Sequence, residues 1–219
     1  MSLWIKICAN TSIEDARLAA EAGADALGFV FAPSPRRVTA RQVASMLTQL
    51  PAVVEKIGVF VDAGFEEIAA AVETCGLTGV QLHFNAPPEL AATLRERFGA
   101  RLRILGVVHF DPHLPLPEHL DRNHHLSAIL VDSSTAKAAG GTGQSFDWEV
   151  AARTIFLNTE DRKPRIAAGG MTPENVAEAI RILRPWGVDV ASGVESAPGR
   201  KDPAKLRAFI ANVRAAERG

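Results

Sequence analysis

The chain lacks most of the features that mark specialised proteins. It holds two cysteines, Cys8 and Cys75, in 219 residues. That is too few for a disulfide framework, so a reducing cytoplasm is the expected setting. No apolar run approaches the ~20 residues of a membrane span. The opening residues, Met1-Ser2-Leu3-Trp4-Ile5-Lys6, have neither the basic start nor the long apolar core of a signal peptide. Net charge is −1 with the basic residues scattered, which argues against nucleic-acid and membrane partners. There is no Gly-x-Ser-x-Gly elbow, P-loop or dinucleotide fingerprint. No His/Cys/Asp/Glu group has metal-ligand spacing, so no metal is expected. A strand-end lysine for Schiff-base chemistry is missing too. Lys6 falls within a strand, while Lys56, Lys137, Lys163 and Lys201 read as solvent or loop positions. What remains is an ordinary globular composition, 47% hydrophobic and 22% charged, able to build a substantial core.

The most informative stretch is Arg165 to Gly199. The apolar run Ile166-Ala167-Ala168 stops at Gly169-Gly170, and Thr172-Pro173-Glu174-Asn175 then opens a helix, with Thr172 as the expected N-cap. Val176, Ala179, Ile180 and Leu183 recur at helical spacing until Pro185. A second apolar run, Val188-Asp189-Val190-Ala191, ends at Ser192-Gly193. Glycine turns let backbone N–H groups approach an oxyanion, and a helix start adds a favourable field. In parallel α/β barrels a phosphate site often follows strands seven and eight. Gly169, Gly170, Ser192 and Gly193 are therefore the candidate phosphate-binding residues.

Six earlier strands precede this pair. Trp4–Ile7, Ala26–Phe31, Ile57–Val61, Leu77–Leu82, Leu102–Val108 and Ser127–Val131 are short and apolar throughout, as in a parallel sheet covered on both faces. Helices alternate with them. Ser12 and Asp15 resemble a capping box, with Gly23 as the stop of that helix, and Thr39 and Gln42 form another box. Pro112, Pro115 and Pro117 leave room for only a turn or two in the fifth crossover. The long polar loop from Ser133 to Ser145 carries Gly140-Gly141-Thr142-Gly143. The expected fold is an α/β (β/α)8 TIM barrel with a degenerate fifth helix, residues 1–219 forming one domain. A doubly wound open sheet is the alternative, but its Gly-rich turn usually follows strand one.

In a barrel the C-terminal strand ends share one rim, where chemistry is expected. Those ends are Cys8, Arg36, Asp62, His83, His109, Asp132 and the two glycine turns. An arbitrary cysteine is usually a small buried hydrophobe. At a strand end before a helix N-terminus, Cys8 is instead a candidate base or nucleophile. Asp132 can pair with a loop or, when desolvation raises its pKa, act as a general acid. Arg36, fixed beside Pro35, can clamp a carboxylate. These residues point to cofactor-free acid/base chemistry on a small anionic phosphate ester.

Longer stretches carry a resemblance. Lys6-Ile7-Cys8, Ala22-Gly23-Ala24-Asp25-Ala26-Leu27-Gly28-Phe29-Val30-Phe31, Ser34-Pro35-Arg36 and Gly58-Val59-Phe60-Val61 resemble phosphoribosylanthranilate isomerases. So do Val80-Gln81-Leu82-His83, Phe146-Asp147-Trp148, Ala168-Gly169-Gly170, Thr172-Pro173-Glu174-Asn175-Val176, Val188-Asp189-Val190 and Ser192-Gly193-Val194-Glu195. The resemblance spans nearly the whole chain in order. It implies a tryptophan-pathway Amadori rearrangement of N-(5-phosphoribosyl)anthranilate, with Cys8 as general base and Asp132 as general acid. Arg36 would hold the anthranilate carboxylate, with His83 and Asp189 also in the substrate-binding set. The implied partner is the small-molecule substrate, and the chain itself is expected as a monomer or homodimer. Four positions depart from the family pattern: Ala9 for Gly, Phe84 for Gly, Gln144 for Lys and Ala191 for Ser. Two alternatives stay open: a non-catalytic barrel that binds a phosphorylated metabolite, and a histidine-pathway aminoaldose isomerase. The second usually has two half-barrel phosphate motifs and an Asp where Cys8 stands.

Overall fold

A computed structural model describes residues 2–83, 86–114, 116–132, 147–157 and 163–218. The chain runs β1 Trp4–Ile7, α1 Ile13–Ala22, β2 Ala26–Val30, α2 Ala40–Leu47, β3 Glu55–Phe60 and α3 Phe65–Cys75. It continues β4 Gly79–Leu82, α4 Pro88–Phe98, β5 Arg103–His109, α5 Glu118–Asp121, β6 Ala128–Asp132 and α6 Trp148–Ala151, the last prolonged by a π turn over Ala152–Phe156. Then come β7 Arg165–Ala168, α7 Val176–Leu183, β8 Gly187–Val190, a short antiparallel pair β9 Glu195–Ala197 and β10 Arg200–Lys201, and α8 Pro203–Ala216. Strands β1 to β8 pair in order, all parallel, and β8 closes onto β1 with Lys6 opposite Asp189. This is a (β/α)8 barrel whose fifth helix is reduced to a single turn. Among the described residues no helix is long and apolar enough to cross a membrane.

Alternation along each strand sorts the core into two parts. Outward residues such as Ile5, Ile7, Leu27, Phe29, Ile104 and Ile129 are fully buried beneath the helices. Each contributes about 1.5–3 kcal/mol on leaving water. Inward residues Trp4, Ala26, Ile57, Leu105, Val107, Leu130, Ile166 and Ala168 fill the lower barrel. At its floor Trp4 stacks on Trp186, the Arg103 guanidinium lies near both rings, and Arg103 pairs with Glu55. Above that floor the inward positions turn polar.

Local signals set most element ends. Thr39 and Gln42 make the full capping box, and Gly23 stops α1 at φ 103°. Phe31, Val61 and Leu77 lie just outside the strands expected to contain them. Three expectations need correction. Thr172 is not an N-cap: Asn175 bonds back through its side chain to Thr172 N and Gly170 O, so α7 begins at Val176. Ser12 caps α1, but Asp15 does not complete the box because its carboxylate accepts from Lys201 N. Lys56 and Lys201 are buried rather than solvated, and both donate to backbone carbonyls. The loop bearing Gly140-Gly141-Thr142-Gly143, with Gln144, Phe146 and Phe84, lies outside the described residues.

Candidate active site

Cys8 follows β1, buried, with its side chain on the same face as Lys6. Its N–H donates to Val190 O at 2.8 Å, which ties the end of β1 to β8. The next residue, Ala9, takes the left-handed backbone at φ 63° and is itself buried. That conformation is the one glycine adopts freely and alanine resists, which accounts for glycine as the usual residue at this position. Lys201 reaches under the turn and donates from Nζ to Cys8 O at 2.6 Å. Burial pushes the Cys8 thiol up, and the Lys6 ammonium pulls against that shift.

Lys6 is fully buried inside the barrel, its Nζ 2.8 Å from Asp189 Oδ1. Burial opposes the lysine charge, but Asp189 and Cys8 outweigh it and hold the ammonium above its ordinary range. Asp189, on β8 opposite Lys6, is buried and engaged by that lysine. Lys6 reads from sequence only as a strand residue. A lysine in the middle of Trp4-Ile5-Lys6-Ile7, on a strand otherwise apolar, was the available signal.

His83 directly follows β4, and His109 and Asp132 end β5 and β6, with His109 paired in register with Asp132. The His83 and His109 rings lie 6.0 Å apart. Burial and then the neighbouring His109 lower the His83 pKa, against the pull of Asp132, which favours the neutral imidazole. Asp132 is half-buried and stands three places from β1 round the closed sheet. Asp62, also on the rim, takes φ 54°.

Arg36 sits after β2, and its Nε and Nη2 form a fork onto Glu195 at 2.6–3.0 Å. Arg37 is exposed beside it. Burial opposes the Glu195 charge, yet Arg36 and Lys201 outweigh it and hold the carboxyl below the usual range. Lys201 lies 3.3 Å from Glu195 and also donates to Ala191 O. The Glu195–Lys201 pair thus joins the Arg36 loop, the Cys8 turn and the end of β8. Sequence reasoning missed both members: they are distant from Arg36 and Cys8 along the chain and carry no local pattern.

The turns after β7 and β8 form the remaining side. Gly169 and Gly170 both have positive φ, at 82° and 62°. Ser192–Val194 is a single 3-10 turn, and the known bonds use carbonyls: Ser192 O accepts from Glu195 N, Gly170 O from Asn175. The two turns touch at Gly193, where a Cβ would fall 1.8 Å from Met171 O. Only glycine permits that approach. Gly170 and Ser192, each one residue from that contact, are exposed.

Fold and site together define a (β/α)8-barrel protein with a buried thiol, a carboxylate, a guanidinium and paired backbone turns around one mouth. A family model described as N-(5′-phosphoribosyl)anthranilate (PRA) isomerase matches residues 5–212. The chain is 43% identical over 207 residues to N-(5′-phosphoribosyl)anthranilate isomerase of Pelobacter propionicus, covering 94% of this chain and 93% of that one. It superposes on phosphoribosyl anthranilate isomerase from Thermotoga maritima with a TM-score of 0.83, at 33% identity over 97% of this chain and 99% of that one. A second solved isomerase, in complex with reduced 1-(o-carboxyphenylamino)-1-deoxyribulose 5-phosphate, gives 0.79 at 32% identity with the same coverage. The chain belongs to the N-(5′-phosphoribosyl)anthranilate isomerase family.

Proposed function

We propose that this chain converts N-(5-phosphoribosyl)anthranilate to 1-(2-carboxyphenylamino)-1-deoxyribulose 5-phosphate in tryptophan biosynthesis. Family membership over nearly the whole chain carries the reaction. The roles of individual residues are our reading of the site.

Asp132, protonated, gives its proton to the furanose ring oxygen as the C1–O bond breaks. The anilino nitrogen supplies the electron pair and becomes a C1 iminium. That cation acidifies the C2 hydrogen, which the Cys8 thiolate removes; the released pair forms the C1–C2 double bond and neutralises the nitrogen. The enolamine then loses its C2 hydroxyl proton and gains one at C1, giving the ketone. One group must hold a proton and the other must not, a division that unequal environments achieve. Asp132 stands half-buried on the rim, whereas Cys8 is buried, with the Lys6 ammonium favouring its thiolate against that burial.

Binding falls to the rest of the rim. The phosphate is assigned to the backbone N–H groups of Gly169, Gly170, Ser192 and Gly193, since Ala191 offers no hydroxyl. Arg36 takes the anthranilate carboxylate. Its Nε and Nη2 serve Glu195, so Nη1 carries the free hydrogens for the substrate. His83 and Asp189 line the space between the two ends. Fixing both ends orients C1 and C2 between acid and base. Every residue invoked comes from one copy, so a homodimer would hold two independent sites. The test is growth without tryptophan of cells lacking this isomerase, with turnover of purified protein in vitro. Growth and turnover are expected; a folded protein that gives neither would overturn the reading.

A further inference from the structure

The reading above uses Cys8 as a base, yet burial alone keeps a thiol protonated. The geometry beneath the sulfur addresses this. Lys6 and Cys8 are two apart on one strand and so share the inner face. Their side chains meet over Gly28 of the neighbouring strand. A Cβ there would lie 2.7 Å from Cys8 Sγ and 3.1 Å from Lys6 Cε, so the bare glycine backbone makes the room in which the two groups meet. The ammonium is hydrogen-bonded to Asp189 and lies close enough to the sulfur to act on it electrostatically. A lysine with no exposed surface in a barrel interior is costly, and an apolar residue would fill the space as well.

We propose that Lys6 is a positioning residue for the reaction, its ammonium anchored on Asp189 and serving as the counter-charge that favours the thiolate form of the Cys8 sulfur against its burial. This rests on Cys8 being the base. When the thiolate takes the C2 hydrogen, an S–H bond forms, a C2–H bond breaks, and the pair passes to the C1 iminium. The Lys6 charge is then balanced by Asp189 alone. The ammonium thus has an anionic partner before and after transfer and does not itself gain or lose a proton. Asp189 opposes the thiolate as a like charge, whereas Lys201, donating to Cys8 O, favours it. Arg36 also interacts with Cys8 electrostatically, Asp132 acts on Asp189, and His83 interacts with Lys6.

The test is thiolate absorbance in the ultraviolet as a function of pH, in a Cys75→Ala background so that Cys8 is the thiol observed. Lys6→Met should move the midpoint up by about one unit or more. Asp189→Asn should move it down, since the lysine then serves the sulfur alone. A pair that only held the fold together, out of reach of the sulfur, would leave the midpoint in place. If Lys6→Met does not fold, the double variant Lys6→Met/Asp189→Leu removes both charges and should still titrate above the parent. The acid limb of kcat against pH should follow the same shifts. An unmoved midpoint in folded Lys6 variants, or a shift of the same sign for Lys6→Met and Asp189→Asn, overturns the proposal. A Cys8→Ser variant separates the two ideas. If it turns over at the parent rate, the base assignment fails, whatever the titration shows. If it is dead and the midpoint is unmoved, only the role of Lys6 fails.

Discussion

Replacing Gly193 by alanine is expected to damage phosphate binding selectively. The added Cβ would sit 1.8 Å from Met171 O, 2.9 Å from Met171 C and 3.2 Å from Thr172 Cα. All three are backbone atoms, so no side chain can rotate away. The turns after β7 and β8 must part by more than an ångström. Such overpacking costs about 1–3 kcal/mol of stability, which a barrel with this core survives. The same displacement spoils N–H groups assigned to the phosphate. A hydrogen bond to a charged group is worth about 1.5–3 kcal/mol, so losing one raises KM about tenfold to a hundredfold. Cys8 directly follows β1 and Asp132 ends β6, away from the altered turns, so kcat should fall less than KM rises. Steady-state kinetics, with inorganic phosphate as a competitive inhibitor, reads both. Gly64→Ala is the control, because a Cβ there meets nothing within 4 Å. A folded Gly193→Ala protein with unchanged KM and unchanged phosphate inhibition would refute the assignment of these turns.

Two more substitutions probe the supports of the site. Gly28→Ala should keep the fold by circular dichroism and lower kcat at least about tenfold, because its Cβ would displace the Cys8 sulfur and the Lys6 stem. Glu195→Gln should cost about 3 kcal/mol near neutral pH by removing the carboxylate charge that faces both Lys201 and Arg36. The folded pKa of Glu195 lies below its unfolded value, so its contribution is complete above the ordinary carboxylate range and is lost as pH falls through the folded value. Denaturant titrations of parent and variant should therefore differ in full above the ordinary carboxylate range and converge only once the pH has fallen below the folded value.

The barrel was legible because parallel strands buried on both faces leave short, uniformly apolar runs, and because Thr39, Gln42 and Gly23 announce helix ends by chemistry that acts within four residues. The reach of that chemistry also explains the failures. Thr172 has every local mark of an N-cap, but Asn175 folds back onto Gly170, and only the geometry of the β7 turn makes that bond possible. Lys201 looks like a solvated charge until β10 carries it under Cys8, 193 residues away in sequence. Glu195 likewise matters through Arg36, 159 residues distant. Charges whose partners lie on other strands are invisible to local pattern. The rim residues Cys8, Arg36, His83 and Asp132 could be named in advance because strand order alone puts them at one end of the barrel. The ion pairs that hold them could not.

The central claim is that Cys8 and Asp132 divide the proton transfers while the rest of the rim binds. Single-turnover rates of Cys8→Ala and Asp132→Asn, measured beside their affinity for a reduced product analogue, test it most directly. Each rate is expected to fall about 10²–10⁴-fold with affinity nearly unchanged. A loss confined to affinity, with the bound substrate turning over at the parent rate, would contradict it.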